Sequence, residues 1–418
     1  MRSALVRLLL GQVTGQLCLV AAVPVLTRLV DPAEMGLFQI AAAVAVVLQP
    51  AATLCHEFRI PVADTRGQVA GLRRVGLAAL GAVAGLGVVV AGGAALLGAA
   101  DPAVVALTTG LLLLAYGGTV LDNAVLIREE RRSALAVRNL LSGVLGAGLQ
   151  VAAGVLVGSA VALGTAVLVG RLVAIAVTRS PGAGSAPGGV ALSPRDTLVT
   201  VGAQSIWVLS MQTMTLLTAP FFGVAAAGYV GLAQRIAGAP TALVGQALGQ
   251  VAQSLLAPHV RAPRGELRRA VLRQLAVLGG GASMVAVVLI VAAPRWAGTV
   301  LGAEYAAVGT VTAVLAVPFA LQITTAPLVP LLIMIGRQGV LFRLQVVRAV
   351  VALAAVTGGA LVTGDFVTTC LLYAISETAC YGGCLVAVLR EAGRVDAATV
   401  QVRPASPGEP CEGSTTGG

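Results

Sequence analysis

Polar residues divide the chain into twelve apolar blocks, each near the ~20 residues that an α-helix needs to cross a bilayer core. The first half gives Leu8–Leu29, Met35–Cys55, Val75–Leu97, Val104–Ile127, Ala134–Leu156 and Ala160–Val177. The second gives Thr197–Thr218, Ala226–Leu256, Ala270–Ala293, Ala306–Ile335, Val340–Leu361 and Phe366–Leu389. None keeps the two-residue alternation of an outer-membrane barrel strand, so helices are the expected spanning element. A single longer break, Ser180–Pro194, has the Gly, Ser, Ala and Pro composition of a flexible tether. The pattern predicts an all-α integral membrane protein of about 12 transmembrane helices, in two six-helix bundles around a central cavity. Residues 1–180 form the first bundle, 181–196 a cytoplasmic linker, 197–390 the second bundle and 391–418 a disordered cytoplasmic tail. The first block is too long for a signal peptide and lacks a small-x-small cleavage site, so it reads as a retained helix.

Composition agrees with the pattern. Hydrophobic residues make up 57% of the 418 positions and charged residues 11%, more apolar surface than a soluble domain can hide. All basic residues are arginines, and they alternate from loop to loop. Arg59, Arg66, Arg73 and Arg74 follow the second block, Arg128, Arg131, Arg132 and Arg138 the fourth, and Arg261, Arg264, Arg268, Arg269 and Arg273 the eighth. The intervening loops carry Arg295 and mostly acids, such as Asp31, Glu34, Asp101 and Asp365. The positive-inside rule then places both termini and the arginine-rich loops in the cytoplasm. The net charge of +10 is therefore a topology signal, and no loop is long enough to build a folded nucleic-acid-binding face.

Several chemistries find no residues to carry them. No Walker loop is present, and the two histidines, His56 and His259, are too few for a histidine metal cluster. Cys380 and Cys384 share a helical face, but without a nearby histidine they read as small apolar residues, not as a metal site. Neither a metal nor a cofactor is expected, and no loop is long enough to house an enzyme's active site.

The two halves are weakly alike. Leu26-Thr27, Gly36-Leu37-Phe38 and Pro50 recur as Leu217-Thr218, Gly228-Tyr229-Val230 and Pro240. Six helices per half make this a parallel repeat about an axis along the membrane normal, the architecture of an alternating-access carrier.

Charge inside the bilayer costs about 2.5–3.5 kcal/mol per residue at a helix centre, so Arg28, Asp122, Arg171, Arg235, Arg348 and Glu377 each need a reason. Arg28, Asp122 and Arg171 lie close enough to block ends to snorkel. At 100° per residue, Arg235, Gln246 and Gln253 fall within about 20° on the eighth block, with Gln250 about 60° away. That polar stripe faces either a neighbouring helix or a wet cavity. Gln12, Gln16, Gln212 and Gln322, with Thr324 and Thr325, add amides and hydroxyls that suit a polar ligand or serve as helix glue. Arg348 and Glu377 lie at similar depth on successive antiparallel blocks, as a structural ion pair or as an anion or proton site.

The stretch Pro24-Val25-Leu26-Thr27-Arg28-Leu29-Val30-Asp31-Pro32-Ala33-Glu34-Met35-Gly36-Leu37-Phe38 resembles the helix 1–2 region of the oligosaccharide (polysaccharide) flippases of the multidrug/oligosaccharidyl-lipid/polysaccharide superfamily. Met35 stands where that family usually has an aromatic. Glu57-Phe58-Arg59-Ile60 is similar to its Glu-x-x-Ile, and Gly228 to Ile236 followed by Pro240 to its helix 8. The resemblance implies a transporter of the bacterial cytoplasmic membrane that flips a polyprenyl-pyrophosphate-linked glycan to the outer leaflet, beside a polysaccharide polymerase and glycosyltransferases. It makes Arg28 and Arg235 the first candidates for the pyrophosphate, then Arg348 and Arg171; the polar residues noted above add Gln12, Gln16, Gln246, Gln250 and Gln253 as substrate-binding candidates. A drug or metabolite antiporter of the same superfamily is the alternative, with Glu377 or Asp122 as its coupling carboxylate. A membrane glycan polymerase or ligase is the third reading.

Overall fold

The structure, a computed structural model, describes residues 2–402 apart from residues 64, 180–193, 239–255, 257–264, 330, 333–334 and 336. Its first span is broken in two, α1 (Arg2–Ala21) and α2 (Val23–Leu29), where Pro24 supplies no backbone donor. Asp31 caps α3 (Pro32–Ala52) by accepting from the Ala33 amide at 2.9 Å, with Pro32 at the first helical position. Leu54 and Cys55 then turn the chain with φ of 53° and 52°. A reciprocal Thr65–Gln68 capping box starts α4 (Arg66–Leu96), followed by α5 (Ala100–Arg128) and α6 (Arg132–Leu156). Ser159 caps α7 (Ala160–Val177). The second half comprises α8 (Pro194–Phe222), α9 (residues 224–238), α10 (Leu267–Leu301), α11 (Ala306–Thr325), α12 (Gln338–Thr363) and α13 (Phe366–Val402).

Ten of these helices are long and apolar enough to cross a membrane. Among the described residues the α1–α2 pair and the fifteen residues of α9 add two shorter helices, so the chain is an all-α membrane protein of about twelve helices in two six-helix bundles. In the first bundle α1 packs on α6, and α5 on α3, α4 and α7. In the second, α10 packs on α11, and α12 on α8 and α13. Loops between α2 and α3, α10 and α11, and α12 and α13 carry Asp31, Glu304 and Asp365, and define an acidic face. The opposite face carries most of the arginines.

Two helices outrun the bilayer. At 1.5 Å per residue, α10 and α13 are about 50 and 55 Å long, well over the ~30 Å of hydrocarbon. Beyond the membrane α13 continues through residues read from the sequence as tail, because that stretch has partners. Asp396 accepts from the Leu267 and Arg268 amides at 3.0 and 2.9 Å and so caps α10. Glu391 pairs with Arg337 at 3.0 Å, and Leu267, Val271, Val388 and Ala392 close a small apolar cluster.

The bundles meet at the acidic face. Among the described residues, every cross-bundle side-chain hydrogen bond lies between the middle of the membrane and that face. Tyr305 donates to the Val30 carbonyl at 2.8 Å, and Arg28 to the Thr299 carbonyl at 3.3 Å. Gly36 and Gly228, which the internal repeat makes equivalent, touch across the seam: a Cβ on Gly228 would lie 3.1 Å from the Gly36 Cα. A Cβ on Gly36 would collide with the Val224 carbonyl. The contact exists only because neither residue has a side chain. A Gly36→Leu variant is expected to part the bundles here. Overpacking costs about 1–3 kcal/mol, enough to shift the balance of states about five- to hundredfold. Spin labels at Leu29 and Ala303, in a background without other cysteines, should report a longer distance; an unchanged distance counts against the seam.

Candidate functional site

Arg171 on α7 and Arg235 on α9 are each the twelfth residue from the acidic-face end of their helices. That is about 16 Å of helical rise, near the bilayer centre. Their helices belong to different bundles. The Arg171 guanidinium lies over Tyr116 of α5, 4.7 Å from the ring centroid. Arg235 donates weakly to Gln150 Oε1 at 3.5 Å and to the Leu19 carbonyl at 3.3 Å. Neither arginine has a carboxylate partner among the described residues. Each guanidinium carries five N–H donors, and Arg235 commits only two of its nitrogens to these contacts. Two half-buried cations at this depth, without a carboxylate partner among the described residues, have the charge and donors that suit a multiply charged anion.

Arg348 and Glu377 behave differently. Arg348 Nε lies 3.1 and 2.9 Å from the two Glu377 oxygens and Nη2 lies 2.6 Å from Oε2, a bidentate pair with 6% and 3% of the residues exposed. The guanidinium also stacks on Tyr381 at 4.5 Å. This pair forms part of the wall of a cavity of about 1150 Å³ whose described lining comes entirely from the second bundle. Gln204, Gln212, Gln234, Gln322 and Gln345 line it, with Trp207 among the aromatics.

The remaining candidates fall elsewhere. Arg28 is exposed on the acidic-face seam beside Pro24, Val25 and Leu29, away from the two central arginines. Asp122 pairs with Arg73 at 2.6 Å near the arginine-rich end of the first bundle. Gln16 is half-buried on α1. Gln12 lies in α1, but its side chain falls outside the described residues, as do Gln246, Gln250, Gln253 and His259 entirely. Thr324 and Thr325 return their hydroxyls to the Ala320 and Leu321 carbonyls of their own helix, at 2.9 and 2.7 Å.

Sequence reasoning passed over Tyr116 and Gln150. Both stand out as polar groups inside apolar blocks, the signal used for Gln12 and Gln16. Arg138, counted by sequence among the loop arginines, is 1% exposed and donates to Thr178 Oγ1 at 2.7 Å and Asn123 Oδ1 at 3.2 Å.

At the arginine-rich end of α3, Glu57 accepts from Thr53 Oγ1 at 2.8 Å and Gln49 Nε2 at 3.0 Å. Burial raises its pKa above the usual carboxylate value, and these hydrogen bonds only partly oppose the shift. A carboxylate raised on folding favours the folded state below its unfolded pKa, and this contribution fades as pH climbs through the folded value. Glu57→Gln is therefore expected to raise the apparent Tm at pH 8, with the gain disappearing below about pH 4. Melting curves at the two pH values check this; an equal gain at both would mean that charge is not the cause.

Comparison with known proteins bears on this arrangement. A sequence family described as "Polysaccharide biosynthesis protein" matches residues 76–310. No curated protein matches. Among solved structures, the chain is similar to a multidrug resistance MATE family transporter of the MOP superfamily in its inward-facing conformation, with a TM-score of 0.64 at 15% identity, covering 93% of this chain and 96% of that one. An outward-facing structure of such a transporter gives 0.54 at 16% identity, covering 94% and 96%. A Vibrio cholerae MATE transporter in its bent form gives 0.57 at 15% identity, covering 95% and 98%.

Proposed function

Because the chain belongs to the polysaccharide biosynthesis protein family, matched over more than half its length, and shares the fold of the MATE transporters, we propose that it flips a polyprenyl-pyrophosphate-linked oligosaccharide from the cytoplasmic to the outer leaflet. The observation that carries the proposal is the presence of two mid-membrane guanidiniums on opposite bundles, Arg171 over Tyr116 and Arg235 beside Gln150 and Leu19, neither with a carboxylate partner among the described residues. A pyrophosphate supplies the missing charge and accepts bidentate hydrogen bonds from both. An organic cation does not. The two carboxylates that a cation-coupled exporter would use are already neutralised, Asp122 by Arg73 and Glu377 by Arg348.

The arginine-rich face is cytoplasmic in this reading. The seam at the acidic face is then the closed outer gate, and the bundles are poised to receive substrate from inside. The higher TM-score with the inward-facing transporter supports that state. Glycosyltransferases would load the carrier, and a polymerase would take its product outside.

The test is transport in proteoliposomes. A fluorescent polyprenyl-pyrophosphate disaccharide should become accessible to a membrane-impermeant quencher only when the protein is present. Transport of a fluorescent drug cation with no movement of the glycolipid would replace this reading by the antiporter.

A further inference from the structure

Five amides open into the cavity of the second bundle, and most of them lack a full set of partners. Gln345 Oε1 is buried without a hydrogen bond. Gln322 Nε2 reaches only the Met211 thioether at 3.9 Å, and the side chains of Gln204 and Gln212 bond to nothing among the described residues. Each amide offers two donors and an acceptor oxygen, and leaving them unmet in a low-dielectric bundle is costly. The cavity therefore calls for an occupant rich in both donors and acceptors.

The charge of the lining narrows the class. Arg348 and Glu377 cancel each other, so among the described residues the wall presents neither a free cation for phosphate nor a free carboxylate for a drug cation. Trp207, 40% exposed, adds an aromatic face. Amides beside an aromatic ring, without net charge, suit a neutral polyhydroxylated ring: hydroxyls exchange hydrogen bonds with the amides while C–H faces lie on the indole. A volume of about 1150 Å³ leaves room for more than one sugar.

Helix α9 ties this cavity to the central arginines. Gln234 faces the cavity, held by Thr215 Oγ1 at 2.9 Å, while the next residue, Arg235, reaches back to Gln150 and Leu19 of the first bundle. Adjacent Cα atoms lie 3.8 Å apart. A glycosyl pyrophosphate has the same order, its first sugar bonded directly to phosphate. We infer that the cavity of the second bundle is a saccharide subsite, which holds the proximal sugars of the substrate while Arg171 and Arg235 hold its pyrophosphate. This rests on the carrier reading above.

The chain's two tryptophans make the site testable with sugars alone. In a Trp296→Phe background, emission reports Trp207. The purified full chain in nanodiscs is titrated with maltotriose and with N-acetylchitotriose, which carry neither lipid nor phosphate. At least one should shift Trp207 emission saturably at millimolar concentration, and a Gln322→Leu/Gln345→Leu variant that keeps its monodispersity and melting temperature should weaken the response on the order of tenfold. Silence with both sugars, or an equal response in that variant, overturns the subsite. Export that persists without Arg171 and Arg235 would instead remove the pyrophosphate carrier reading, whatever the sugars do.

Discussion

Replacing Arg171 and Arg235 together by alanine is expected to lower glycolipid transport at least a hundredfold while leaving the protein inserted in the membrane. Charge-assisted hydrogen bonds contribute about 1.5–3 kcal/mol each, and two guanidiniums can place several on one pyrophosphate. Losing even two such bonds amounts to more than 3 kcal/mol, and each 1.4 kcal/mol is a factor of ten. Folding should survive. Among the described residues neither arginine has a carboxylate that its removal would strand, and Gln150 loses only a long 3.5 Å contact. Single variants should fall between, and a lysine at either position should recover only part of the rate, since an ammonium is a point charge without the planar fork. The proteoliposome quenching assay, normalised to reconstituted protein, gives the number. Transport within a few-fold of the parent by the double alanine variant would end the pyrophosphate assignment.

The second large effect is on stability, and it comes from the other buried arginine. Glu377→Ala leaves the Arg348 guanidinium with 6% exposure and no carboxylate, and breaking a buried pair in this way costs about 3–5 kcal/mol. The Tyr381 ring, still 4.5 Å away, offsets only a small part of that. Removing both charges should be far milder: Arg348→Met/Glu377→Leu replaces the pair with apolar groups of similar bulk, an exchange that is often neutral or stabilising. The expected order of apparent melting temperature in detergent is therefore parent near the double variant, with Glu377→Ala well below both. Equal melting for parent and Glu377→Ala would show that the pair carries little of the fold. The double variant also tests function, because it leaves the cavity wall without its ion pair but with the same net charge.

Legibility in the sequence followed the kind of force involved. The spans come from transfer of side chains into hydrocarbon, a property summed along the chain, so twelve blocks could be counted without a structure. The boundaries slipped where local packing took over. Pro24 splits the first span into α1 and α2, and Asp396 and Glu391 keep α13 helical to Val402 by giving it partners on α10 and at Arg337. The weak likeness of the two halves aligns Gly36 with Gly228 in the sequence. Their contact across the seam is a matter of helix placement.

Sites follow from lateral neighbours, and residue counting gives depth without direction. Depth alone sets Arg348 beside Glu377 on successive helices; the bidentate geometry and the cavity in front of it depend on how α12 and α13 are rotated. Arg28 and Arg235 both sat in recognisable motifs, yet one lies on the surface of the seam and the other at the centre against Gln150 and the Leu19 carbonyl. Arg138 read as a loop cation and is buried against Thr178. By itself, then, the sequence determined how many times the chain crosses lipid and where charge is scarce, because hydration energy belongs to each residue separately. The tertiary structure alone decided which arginines go without a carboxylate partner among the described residues, because pairing depends on the rotation and packing of helices far apart in the chain.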